Sequence, residues 1–294
     1  MATSLVRFLL ATLAMMGMLT SCYHADEDGL QAAADGNLII QVVRVEQIPF
    51  DVPGEGTRAV ALSDLATRLN FAVFDGTTKV VNISQKSDDD GFGMVAVRLA
   101  PGAYTVVVTA HSQAKSVTMT SPTEIQFSNP LTDVFYYSGD VTVGDEPTTQ
   151  SIALQRAVAM FRFNCTDAVP EGVATMQFKY SGGSVRLNPT TGYGSSNSSQ
   201  TAGFEITEEM IGQPATFDVY TFPHEADDVL TKMTVSALDF EENVLYERTF
   251  QNVPIKTNQI TVYSGAFFTG GTGSDDAFHI EADGEWASQR SFVF

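Results

Sequence analysis

The chain is poor in the residues that make covalent staples, metal sites and aromatic binding platforms. Its 294 residues include two cysteines, one tryptophan and four histidines. One cysteine, Cys22, directly follows the N-terminal run and is read below as a lipid site, which leaves Cys165 as the only free thiol, and one thiol forms no internal disulfide. Cys165 continues the alternate series Ala157, Ala159, Phe161, Phe163, one face of a strand, and reads as a buried, inert side chain. A catalytic thiol needs a histidine and a polarising neighbour, and no sequence feature supplies them. His24, His111, His224 and His279 lie far apart, without the i, i+4 spacing of a helical zinc site. His111 closes a strand and reads as a partly exposed edge residue; His224 follows Pro223 in a turn. Basic side chains are also scarce, 16 against 35 acidic, for a net charge of −19. A surface of that sign repels nucleic acid and anionic lipid headgroups, which excludes nucleic-acid binding.

Long apolar runs and helical periodicity are lacking too. The longest apolar run, Phe8 to Met18, is about half of the ~20 residues that a membrane-spanning helix needs. With Arg7 before it and Leu19-Thr20-Ser21-Cys22 behind it, the layout is that of a secretory signal peptide. A leucine three residues before a cysteine, with small residues between, resembles the bacterial lipobox. That resemblance implies removal of residues 1–21 and lipidation of Cys22, with acyl chains contributing ~0.8 kcal/mol per buried methylene to an outer-membrane anchor. The alternative is an ordinary signal peptide with an incidental cysteine. Residues 22–36, acidic from Asp26 to Asp28, read as a flexible tether. They resemble the short acidic signal of Bacteroidales-type lipoproteins displayed on the outer face of the outer membrane.

What is abundant is period-two alternation. Tyr104, Val106, Val108 and Ala110 share one face of a strand, as do Met176, Phe178 and Tyr180, and Met233, Val235 and Ala237. Many such half-buried strands, separated by Gly, Pro, Asn and Asp, predict an all-β antiparallel sandwich. The roughly 270 residues beyond the leader favour two domains over one core. The break around Gly144 to Thr148, ahead of a strand at Leu154, sets them at 37–150 and 151–294 with about seven strands each. Asn37 to Ile48 reads as the first strand, and Ser63 as the cap of a short helix from Asp64 to Leu69. Thr190 to Thr201 reads as a long hairpin loop, and Gly270 to Gly273 as a hinge before a C-terminal tail.

No nucleophile elbow, phosphate-binding glycine loop or dinucleotide fingerprint is present, and no cofactor is expected. Asp88-Asp89-Asp90 fails as a calcium loop, because its fifth and twelfth positions are Phe92 and Leu99. With Gly91 it reads as a solvated hairpin turn.

Leu69 to Asp75, Val106 to Ser112, Thr132 to Val143, Leu154 to Phe163, Met176 to Gly194, Asp218 to His224 and Asn258 to Phe268 together resemble fimbrial anchor subunits of the FimB type, in the fimbrillin superfamily of Bacteroidales. The resemblance implies two transthyretin-like Greek-key sandwiches in series; with no catalytic constellation in the sequence, no enzymatic activity is expected. It implies a lipid-anchored subunit of an adhesive fimbria, with other fimbrial subunits, the outer membrane through the lipid on Cys22, and surface ligands of host or bacterium as partners. Relatives that polymerise are cut after an arginine near the first strand and accept a donor strand from another subunit, and Arg58 stands in the matching loop. The C-terminal tail, with Phe278, Ile280, Phe292 and Phe294, is either such a donor or an edge strand of its own sandwich. Anchor, stalk and tip roles stay open at this point, as does a surface glycan-binding lipoprotein.

Overall fold

The computed structural model describes residues 36–46, 61–115, 117–269 and 290–293. Among them the chain is all-β, as the alternation requires, with helix confined to α1 (Leu62–Leu65) and one 3-10 turn, Glu208–Met210. In chain order the first half carries β1 (Leu38–Val45), β2 (Arg68–Asp75), β3 (Thr78–Lys86), β4 (Met94–Val97), β5 (Gly102–His111), β6 (Thr118–Ser121), β7 (Glu124–Gln126), β8 (Val134–Val143) and β9 (Thr148–Arg156). The second half carries β10 (Ala159–Cys165), β11 (Thr175–Ser181), β12 (Arg186–Asn188), β13 (Tyr193–Gly194), β14 (Gln200–Glu205), β15 (Ala215–Thr221), β16 (Asp228–Leu238), β17 (Val244–Ile255), β18 (Ile260–Gly265) and β19 (Arg290–Val293).

The strand orders repeat. In the first half the run β3-β2-β5-β8 is followed by β9-β1-β4 in one seven-stranded sheet. The second half reproduces both runs as separate sheets, β14-β11-β16-β17 and β15-β10-β18, and adds β19 beyond β18. Each half thus opens with a strand, β1 or β10, that lies between an antiparallel partner and a parallel closing strand, β9 or β18. The two sheets that hold these opening strands are therefore mixed, not purely antiparallel as expected, whereas β14-β11-β16-β17 is antiparallel throughout. The chain returns to its opening strand from the far side of each core, so the closing strand arrives in the same direction.

Each half encloses its own core. Phe71, Val106, Val108, Phe135 and Leu154 are fully buried in the first, and Phe161, Phe163, Phe178, Met233 and Val235 in the second. The second core is an aromatic lattice in which Phe178 meets Phe163 edge-on at 5.8 Å and Phe204 at 5.5 Å. Asn37 fixes the start of β1, donating from Nδ2 to Leu99 O and Gly144 O at 2.8 and 2.9 Å while its Oδ1 accepts from Leu99 N.

A fourth sheet, β13-β12-β7-β6, takes two strands from each half. It covers the outer face of β2 and β5, where Ala72, Phe74 and Val107 pack against Ile125, Leu187 and Phe222. Three expectations change as a result. β5, expected to be half-buried, is buried on both faces from Val106 to His111. His111 is not an edge residue, since β5 lies between β2 and β8 and the side chain has no exposed surface. Thr190 to Thr201 is not simply a loop, because Tyr193–Gly194 forms β13 and Gln200 opens β14.

The short helix is also displaced. It spans Leu62–Leu65 with Ala61 at its N-cap, and Leu69 instead lies fully buried in β2, drawn there by pairing with β3 and β5. β9 starts at Thr148, ahead of the expected Leu154, because from Thr148 onward it pairs with β1.

Candidate interaction surface

Among the described residues no group of three or more His, Cys, Asp and Glu side chains is placed to hold a metal ion, and no helix is long and apolar enough to cross a membrane. The titratable groups singled out by type are structural. Cys165 is free and buried, and burial, with Asp167 nearby, pushes its thiol up to about 12, so it stays protonated and unreactive. His111 places Nε2 2.9 Å from Asn70 Oδ1 and accepts the Gln113 N–H on Nδ1 at 3.1 Å. Burial, and then the Arg68 charge, lower its pKa to about 4, which leaves it neutral with Nε2–H donating. His224 places Nδ1 3.2 Å from Asp228 Oδ2 and Nε2 2.9 Å from the Ser196 carbonyl. A Ser-His-Asp reading fails, because the Ser196 hydroxyl pairs with Ser184 Oγ at 3.0 Å and not with the imidazole.

Two features at the strand ends of the second half remain. The first is the β16–β17 turn. Asp239 Oδ1 accepts the N–H groups of Glu241 and Asn243, its Oδ2 accepts Asn243 Nδ2, and Glu242 takes a left-handed φ of 64°. Hydrogen bonds from the Asn243 side chain and backbone, joined by that of Glu241, hold the Asp239 carboxyl below the usual carboxylate range. The rigid turn displays Phe240, 84% exposed, beside Val244 and Leu245, also exposed, and the acidic Glu241 and Glu242.

The second feature is the exit of the chain from β18. Asp167 accepts the backbone N–H groups of Phe267, Phe268 and Thr269 at 2.7–2.9 Å and the Thr269 hydroxyl at 3.0 Å. Burial opposes its ionisation, but those four donors outweigh it and hold the carboxyl below its ordinary range. Phe267 and Phe268 are buried, Phe267 against Phe163 and Phe268 against Tyr246. The take-off point of the C-terminal segment is thus pinned by one carboxylate and two rings. Beyond it, Arg290–Val293 returns as β19, pairing in parallel with Thr261 to Ser264 of β18.

Of the residues expected to carry function, Phe292 lies in β19. Cys22, Arg58, Phe278, Ile280 and Phe294 lie outside the described residues, as do His24 and His279. Sequence reasoning overlooked Phe240 and Asp167. Phe240 had a readable signal, an Asp-x-x-x-Asn spacing around a turn between two strands. Asp167 had none, since its partners are about 100 residues away.

A family model for DUF6562, a family of unknown function, matches residues 77–291. A comparison with curated protein sequences gives no match. Solved structures similar to this chain include a candidate polysaccharide-binding protein from Bacteroides thetaiotaomicron, at 14% identity and a TM-score of 0.48, covering 74% of this chain and 80% of that one. A candidate adhesin from Bacteroides ovatus aligns at 16% identity and a TM-score of 0.46, covering 80% and 88%. The fimbrial anchor protein Mfa2 from Porphyromonas gingivalis aligns at 10% identity and a TM-score of 0.40, covering 72% and 80%.

Proposed function

The chain belongs to DUF6562, a family of unknown function, and from that premise we propose that it is a non-enzymatic, lipid-anchored structural subunit of a cell-surface fimbria, assembled by β-strand exchange. The two repeated strand orders are read as two transthyretin-like sandwiches in series. Cys22 carries the lipid and holds the base at the outer membrane, facing outward, and Arg58 marks the loop where a maturation protease would act. The strand sequences that resemble FimB-type anchors support this reading.

The observation that carries it is β19. In the first half the closing strand β9 is flanked by β1 and β8, all within one sheet. In the second half the equivalent place beside β18 is filled by a strand of four residues, paired in parallel. A strand at a sheet edge, held by backbone pairing over so short a length, can be replaced by or donated to another chain, since either partner satisfies the same donors and acceptors. The glycan-binding alternative has less to build on. Among the residues whose burial is described Phe240 is the one exposed aromatic ring, and a sugar platform wants several.

The test is affinity purification of the tagged full-length lipoprotein from its native cell surface, beside a chain truncated after Gly273. A ladder of fimbrial subunits that disappears with the tail supports the role and names the tail as donor. A ladder that survives truncation moves the contact elsewhere, and no partner in either sample overturns the fimbrial reading.

A further inference from the structure

The two halves are joined in sequence by Ala157-Val158 alone, a link short enough to act as a hinge. Both residues are fully buried. The halves are joined in space far more extensively. β7, from the first half, pairs with β12, from the second, through Gln126↔Arg186 and Ile125↔Leu187, and Phe127 N–H adds a bond to Val185 O at 3.0 Å. The Arg186–Glu124 ion pair, 3.1 Å, crosses the same seam. Beneath it Ile125, Phe127, Leu187 and Phe222 share one buried apolar cluster.

A second tie lies at the link itself. Arg156, the last residue of β9, has a side chain with no exposed surface, and it grips Asp133 through Nε and Nη2 at 2.8 and 2.7 Å. Its Nη1 donates to Asn258 Oδ1 at 2.6 Å, and its guanidinium lies over the Phe135 ring at 4.9 Å. Asn258 stands in the β17–β18 turn of the second half, held there by its own N–H bond to Val158 O at 2.9 Å. One buried cation therefore has acceptors in both halves, and any rotation about the link would leave it short of a partner in the interior.

We infer that the two sandwiches move as a single rigid body, locked by a sheet that they share and by Arg156 at the link. Domains within one chain move relative to each other by default unless their interface is extensive and apolar. Here the interface includes continuous strand pairing, so reorientation requires breaking ladder hydrogen bonds and exposing the cluster below them. A subunit built this way transmits the direction of its attached end to its far end.

The test is a spin-label distance measurement on the full chain, with a keto amino acid introduced and labelled at the exposed positions Asn82 in β3 and Thr201 in β14. The expected result is one narrow distance distribution. In Leu187→Asp, which puts a charge into the shared cluster, the distribution should broaden by about twofold or more while the far-UV spectrum stays that of a folded β protein. If that variant does not fold, Asn258→Gly tolerates the left-handed φ of 60° and removes the Asn258 Oδ1 acceptor that Arg156 has in the second half; it should broaden the distribution by a smaller but measurable amount. A broad or multi-peaked distribution in the unmodified chain overturns the inference. So does an unchanged narrow one in a folded variant.

Discussion

His111 shows how much a single side chain depends on what covers it. Its β5 neighbours alternate as an edge or half-buried strand would, yet the shared sheet closes over the outer face and the ring becomes a neutral, hydrogen-bonded core group. Its folded pKa, about 4, is below the ordinary 6.5. As the pH falls below 6.5 the unfolded chain takes up a proton that the folded chain refuses. The stabilisation is therefore complete above pH 6.5 and is lost progressively towards pH 4, roughly 3 kcal/mol over the whole window. Urea unfolding at pH 7 and at pH 4.5 should show a larger loss in the native chain than in His111→Leu. That variant starts less stable, because Asn70 Oδ1 and the Gln113 N–H lose the imidazole they pair with, but lacks this pH slope. Equal slopes would place the burial of His111 in error.

At the scale of elements, Asp167 does for the chain's exit from β18 what a cap does for a helix end. It collects three consecutive N–H groups that the sheet leaves without partners. Asp167→Ala should cost about 2 kcal/mol, since hydrogen bonds to charged groups are stronger than neutral ones. Hydrogen exchange should show where that loss falls: protection should drop at Phe267 to Thr269 and stay unchanged in β2 and β5. Because the folded carboxyl ionises below its ordinary range, the same stabilisation is present above pH 3.8 and is lost as the pH falls further. The aromatic lattice behaves differently, as a collective element. Phe178 contacts Phe161, Phe163, Phe204 and Phe217, so Phe178→Ala should cost about 3–5 kcal/mol in thermal or chemical unfolding, where a peripheral ring would cost less.

For the whole molecule, the net charge of −19 disfavours electrostatic attachment to anionic headgroups, so the proposed membrane attachment rests on the leader and Cys22. Cys22→Ala should release the protein from the membrane pellet into the soluble fraction without lowering its unfolding midpoint. Retention in the pellet would remove the lipid from the account. At this scale the repeated strand orders matter as well. Two cores with the same strand order are joined through a shared sheet, with β19 following the second.

Alternation along the chain was enough to establish the all-β class and the burial of the strand faces it marks, Val106, Phe178, Val235 and Cys165 among them, because a pleated strand with one dry face imposes period two on its own sequence. Tertiary structure alone decided the parallel pairing of β1 with β9 and of β10 with β18, the burial of both faces of β5, and the meeting of Arg156 with Asn258. Each joins residues distant in sequence, through pairings to which local periodicity contributes no signal. The same holds for the shared sheet: β7 and β12 are each three residues long, too short to show a pattern, and their pairing joins the two halves.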